Sequence, residues 1–188
     1  MWPVALVSSG VALALLSSRG PSNTTPVRSM RDGNTYHVQN LPDKQKACEL
    51  MAKLRSNLDK LIEHYKSDPA LLADPRVKVM IERFNPSNMI ENDLTSDSTS
   101  YSENKGEKIV VCLRDKSDKS LVDENTVMFV ILHEMAHLMT TTIGHTPEFW
   151  SNFRRILQDA VAVGIYTPVN YSRYPTGYCG MTISDSPL

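Results

Sequence analysis

Six consecutive apolar residues at 127–132, VMFVIL, run straight into His133-Glu134-Met135-Ala136-His137. A helix that is apolar on every side is one that is buried on every side. Such a helix takes His, Glu and His only where a strong interaction compensates their loss of water. At helical spacing His133 and His137 stand one turn apart on one face, where two imidazoles can share one metal ion. Glu134 falls on the flank of that pair. A carboxylate there reaches a water at the metal without being a ligand, which is the position a general base needs for hydrolysing an amide.

A zinc site that performs chemistry uses three protein ligands and keeps one position open, and His145 is the candidate third ligand. Gly144 before it can take the left-handed conformation that ends helices. The active-site helix is therefore expected to start after Asp123 as N-cap, run to about residue 143 and turn back to bring His145 to the metal. Thr146, Pro147 and Glu148 then read as N-cap, first helical residue and a carboxylate at the positive helix end. That helix, expected to about residue 163 and closed by Gly164, buries Phe149, Phe153, Ile156, Leu157, Ala160 and Val161 in this reading.

Elsewhere the clearest periodicity is at residues 43–66. Ala47, Leu50, Met51, Leu54, Leu58, Leu61, Ile62 and Tyr65 recur at three and four residues, with charged residues between them. This predicts a long core-packing helix. A shorter helix is expected at 75–83, stopped before Asn85-Pro86. Residues 36–42 and 108–114 read as short strands, 85–106 as a loop with at most a strand near 99–101, and 165–188 as irregular. His37 and His64 read as surface residues. The fold class is α+β, a long amphipathic helix and a small sheet packed on the H-E-x-x-H helix.

The chain opens with an apolar segment at 2–16, followed by positive charges at Arg19, Arg28 and Arg31. Residues 1–18 therefore read as a single-pass membrane anchor, with a cleaved signal peptide as rival, and 19–35 as a polar linker. The charges after the segment place the catalytic domain on the cytoplasmic side. Three widely spaced cysteines, Cys48, Cys112 and Cys179, read as ordinary thiols of a reducing compartment and agree with that side. With 20 Lys plus Arg against 21 Asp plus Glu, the net charge is -1. That offers no global basic field for nucleic acid, although a local patch is compatible with it.

The order of elements, with a third His ahead of Pro147-Glu148-Phe149-Trp150, resembles the zincin metallopeptidases. More narrowly it is similar to the WLM and SprT-like families, in which a G-H-x-x-x-F/W segment brings the third zinc ligand. The segment Asn40-Leu41-Pro42-Asp43-Lys44 looks like the start of a WLM domain. The resemblance implies a compact minimal-zincin domain within residues 36–188, Zn2+ held by His133, His137 and His145, and Glu134 as base of a zinc metalloendopeptidase acting on proteins or peptides. Eight residues separate the second and third His, against six in the metzincin pattern, which implies a longer active-site helix. Glu148 or Asp159 would be substitute ligands. Tyr166 and Tyr178 are candidates for a second oxyanion donor, and Met181 for the methionine beneath a metzincin site. The strand at 108–114 is a candidate to add an extended substrate as a neighbouring strand. Members of these families include proteases acting on proteins crosslinked to DNA. The balanced charge and the apolar segment rank a membrane-anchored endopeptidase ahead of that option. A zinc-binding interaction module without turnover and a hydrolase of a non-peptide amide are further readings.

Overall fold

The computed structural model describes residues 23–103 and 108–188. These form a five-stranded sheet, five helices and a separate two-stranded hairpin. Strands β1 (Thr24–Arg28) and β2 (Thr35–Gln39) make an antiparallel hairpin. β3 (Met89–Glu91) lies parallel to both β2 and β5 (Lys108–Val111), and β4 (Tyr101–Glu103) runs antiparallel along the outer side of β5, giving the order β1-β2-β3-β5-β4. The stretch expected as a linker thus supplies β1 and the hairpin turn. Glu49 of the following helix holds that turn, accepting from Met30 N–H at 2.8 Å and the Ser29 hydroxyl at 2.9 Å.

Helix α1 (Lys44–Ser67) follows its periodicity, with Ala47, Met51, Leu54, Leu58, Leu61 and Tyr65 buried against the β1–β2 hairpin and the central helix. Short α2 (Pro69–Leu72) and α3 (Pro75–Arg83) each open on an Asp N-cap and a Pro. The central helix α4 (Glu124–Met139) starts on Asp123, whose side chain accepts from Asn125 and Thr126 N–H. Val127, Met128, Ile131, Leu132, Met135 and Ala136 have no exposed surface. Burying each of the larger ones contributes about 1.5–3 kcal/mol. Helix α5 (Pro147–Ala162) packs along α4 with Phe149, Phe153, Ile156, Leu157 and Ala160, while Val161 is exposed. Strands β6 (Thr176–Tyr178) and β7 (Met181–Ile183) turn through Cys179 and Gly180, both at positive φ, the requirement of the tight hairpin turn that matches strand twist.

Several expectations are corrected. The active-site helix ends at Met139 rather than near residue 143. Thr140, Thr141 and Thr142 are β-branched and weak helix formers, and the Thr140 hydroxyl turns back onto the Ala136 carbonyl at 2.7 Å. β5 is paired on both sides, so a peptide cannot add to it; the outer strand on that side is β4. Cys112 and Cys179 form a disulfide, leaving Cys48 as the free, buried thiol. The membrane reading is corrected as well. Among the described residues no helix is long and apolar enough to cross a membrane, and the segment at 2–16 lies outside them. The unpaired thiols that support a cytoplasmic catalytic domain are in part this disulfide.

Beneath the sheet lies a buried ionic network. Arg114, with 1% of its side chain exposed, donates from Nε to Glu91 at 2.9 Å and from Nη1 to Asp43 at 2.9 Å and the Lys119 carbonyl at 3.0 Å. The other Glu91 oxygen accepts the Gln39 N–H at 2.7 Å. One guanidinium therefore joins the start of α1, β2, β3 and the segment after β5. Arg114→Ala leaves the Glu91 carboxylate buried and unpaired, and should lower unfolding free energy by about 3–5 kcal/mol in urea titrations. The disulfide spans 67 residues, and its reduction should remove about 2–4 kcal/mol, read as a lower thermal midpoint with reductant than without.

Candidate metal centre

His133 and His137 project from one face of α4 toward α5, and the segment 140–146 returns His145 to the same place. The Nε2 of His133 lies 3.2 Å from that of His137 and 3.1 Å from that of His145. All three ligand nitrogens fall within 4.8 Å of one another. Nitrogens bound about 2.0–2.1 Å from a tetrahedral zinc stand roughly 3.4 Å apart, and the two separations measured from His133 are close to that distance.

The imidazoles rest on an aromatic bed from α5. His137 stacks on Phe149 with centroids 4.3 Å apart, His145 meets the same ring at 4.7 Å, and His133 meets it edge-on at 4.9 Å. Phe153 adds an edge contact to His133 at 5.2 Å. Burial and mutual proximity depress the basicity of the cluster. His133 is held well below its usual pKa, His137 falls to about 4, and His145 is lowered by burial alone. Neutral imidazole is the ligating form, so a cluster with lowered pKa values can take a cation without first losing protons. Glu134 is half-buried next to His133, and burial pushes its carboxyl up to about 8. A cation at the three nitrogens would draw that value down again.

The remaining candidates fall elsewhere. Tyr178 is buried; its hydroxyl donates to the Cys112 carbonyl at 2.8 Å and shares a hydrogen bond of 2.5 Å with Ser100. Burial, with the Glu134 carboxylate near it, raises its pKa, but the hydroxyl is committed to tying β6 to the sheet. Tyr166 packs on Phe129, one turn before His133, and lines an open cleft with Asp123, Glu124 and Asn125 at the opposite end of α4. Met181 is half-buried on β7, and the surface under the imidazoles is Phe149 instead. Asp159 accepts from the Tyr65 hydroxyl at 2.8 Å, a link from α5 to α1. Glu148 holds the loop before His145 and is not one of the clustered metal-binding groups.

Phe149, the aromatic of the G-H-x-x-x-F segment and one of the expected core residues of α5, lies under all three imidazoles. A second α5 residue, absent from the sequence expectations, supports the site. Asn152, fully buried, donates to the Met139 carbonyl at 3.2 Å and the Thr140 hydroxyl at 3.0 Å, closing the C-terminal end of α4. The signal for it is an Asn on the otherwise apolar face that carries Phe149, Phe153 and Ile156.

Comparison with known proteins agrees with this architecture. An uncharacterized protein of Acanthamoeba polyphaga mimivirus is 29% identical over 188 residues, covering 98% of this chain and 95% of its own. An uncharacterized protein of Invertebrate iridescent virus 3 is 36% identical over 137 residues, covering 72% of this chain and 79% of its own. Among solved structures, a mutant of Wss1 from Saccharomyces cerevisiae shares the fold, with a TM-score of 0.51 at 18% identity over 67% of this chain and 87% of that one. The WLM domain model matches residues 30–177, and the chain therefore belongs to the WLM domain family.

Proposed function

We propose that this chain is a zinc-dependent peptidase of the WLM type, with His133, His137 and His145 as ligands, Glu134 as general base and proteins attached to DNA as substrates. The observation that carries the reading is the convergence of three imidazoles, two of them with Nε2 within 3.2 Å of the His133 Nε2, beside the half-buried carboxyl of Glu134. Family membership supports it, since WLM relatives include proteases of DNA–protein crosslinks.

Zinc bound there supplies a Lewis acid that polarises the scissile carbonyl and activates water near neutral pH. His133, His137 and His145 would hold the ion, and a three-ligand site of this kind would leave it able to take a water or substrate. Glu134 takes the proton of the attacking water and delivers it to the leaving amine; its apolar surroundings keep the carboxyl basic enough for both transfers. The Phe149 bed and the walls of α4 exclude water from the buried side of the cluster, which strengthens the electrostatic interactions within it. The near-balanced charge predicts few phosphate contacts, hence modest direct DNA affinity with a shallow salt dependence, so DNA acts mainly to present the protein substrate.

Purified protein should contain one zinc per chain by elemental mass spectrometry. His145→Ala should weaken zinc binding by more than about 100-fold, beyond the 10–100-fold effect of a residue that only orients a ligand. An unchanged zinc content would remove His145 from the ligand set. Glu134→Gln should retain zinc while cleavage falls by about 10²–10⁴-fold, and full activity in that variant would reject the general base. A test protein crosslinked to DNA should be cleaved faster than the same protein free in solution. Equal rates on both would return the substrate to proteins in general and leave the zinc chemistry standing.

A further inference from the structure

We infer that Glu148 is the positioning residue for the third ligand, holding the loop that carries His145 in its metal-ready shape. The inference rests on the metal reading above and adds the residue that makes its third ligand available. Helix α4 ends at Met139, and residues 141–145 are all exposed, so no buried side chain anchors the segment that must return an imidazole to the site. Glu148, in the first turn of α5, supplies that anchor. Its Oε1 accepts from the Thr141 N–H at 3.1 Å and the Thr141 hydroxyl at 3.0 Å. Its Oε2 accepts from the Thr142 N–H at 3.2 Å and the Thr142 hydroxyl at 2.8 Å.

A second strap closes the same loop, because the hydroxyls of Thr142 and Thr146 lie 2.6 Å apart. The chain leaving α4 is thus tied to the chain entering α5, and His145 sits at the apex of the closed loop behind Gly144 at φ +83. Four donors on one carboxylate also hold Glu148 ionised, down to about 2, which keeps the anchor in place throughout the range in which a zinc site operates. Asn152, one turn further along α5, fixes Met139 and Thr140 from the same helix. The two residues divide the task. Asn152 is buried and secures the helix end, whereas Glu148 acts at the surface on the ligand loop. Without Glu148 the loop keeps the Thr142–Thr146 strap and the contacts of the His145 ring but loses its four-donor grip on Thr141 and Thr142, so zinc binding must supply more of its order.

The test is a set of Glu148→Ala, Glu148→Gln and His145→Ala variants with the double variant E148A/H145A, each titrated with zinc against a chromophoric chelator. Glu148→Ala should bind zinc about 10–100-fold more weakly than wild type, with Glu148→Gln between them because one of its two oxygens is lost as an acceptor. In the His145→Ala background the same change should have no further effect on zinc. In the metal-free protein, hydrogen exchange of the Thr141 and Thr142 amides should quicken in Glu148→Ala while the thermal midpoint is retained. Unchanged zinc affinity in Glu148→Ala, or an equal loss with and without His145, would overturn the proposal. Should wild type bind no zinc, the metal reading itself fails and this proposal falls with it, whatever the exchange data show.

Discussion

The contact of three imidazoles with the single ring of Phe149 is the interaction on which the rest of the site depends. It takes the histidines out of water, which keeps them neutral, and it sets their tilt so that their Nε2 atoms point to one place. Both effects come from the packing of α5 along α4, because Phe149 stands on α5 while two of the three histidines stand on α4. The same helix carries the Glu148 and Asn152 grips on the connecting segment. In the proposed reading, metal affinity would come from an interhelical contact as much as from a motif. Its cost is the burial of polar groups on an otherwise apolar helix, which only a bound cation or a closed hydrogen-bond network compensates.

The sheet and its ionic network hold that helix pair in place from the other side. Arg114 ties the entry of α1 to β3 and to the Lys119 carbonyl in the turn that precedes α4. The Cys112–Cys179 bridge and the Tyr178 hydroxyl then fasten the C-terminal hairpin to the end of β5. Each is a tie between segments distant in sequence. Together they give a small domain the rigidity that a site of three converging side chains requires.

Much of this was legible before any coordinates. Periodicity located α1, and the unbroken apolar run marked α4 as the helix buried all round. The cap residues Asp123 and Thr146 and the left-handed Gly144 stand where side-chain chemistry put them. What was missed depends on partners remote in sequence. β1 looks like linker because its hydrogen bonds belong to β2 and its turn to Glu49. The early end of α4 is set by Asn152 in another helix, and the wider His spacing is taken up by a pinned loop rather than by extra helical turns. The disulfide pairs cysteines 67 positions apart, and no local pattern announces such a pair.

The proposed site is three imidazoles and one open position around a single zinc. X-ray absorption at the zinc edge on the purified full-length protein addresses this directly, because scattering distance and ligand type are read at the ion. Three imidazole nitrogens at about 2.0–2.1 Å with one further light-atom ligand are the expected result. A sulfur scatterer near about 2.3 Å, or four protein ligands closing the site, would contradict it and leave the histidine cluster without a catalytic role.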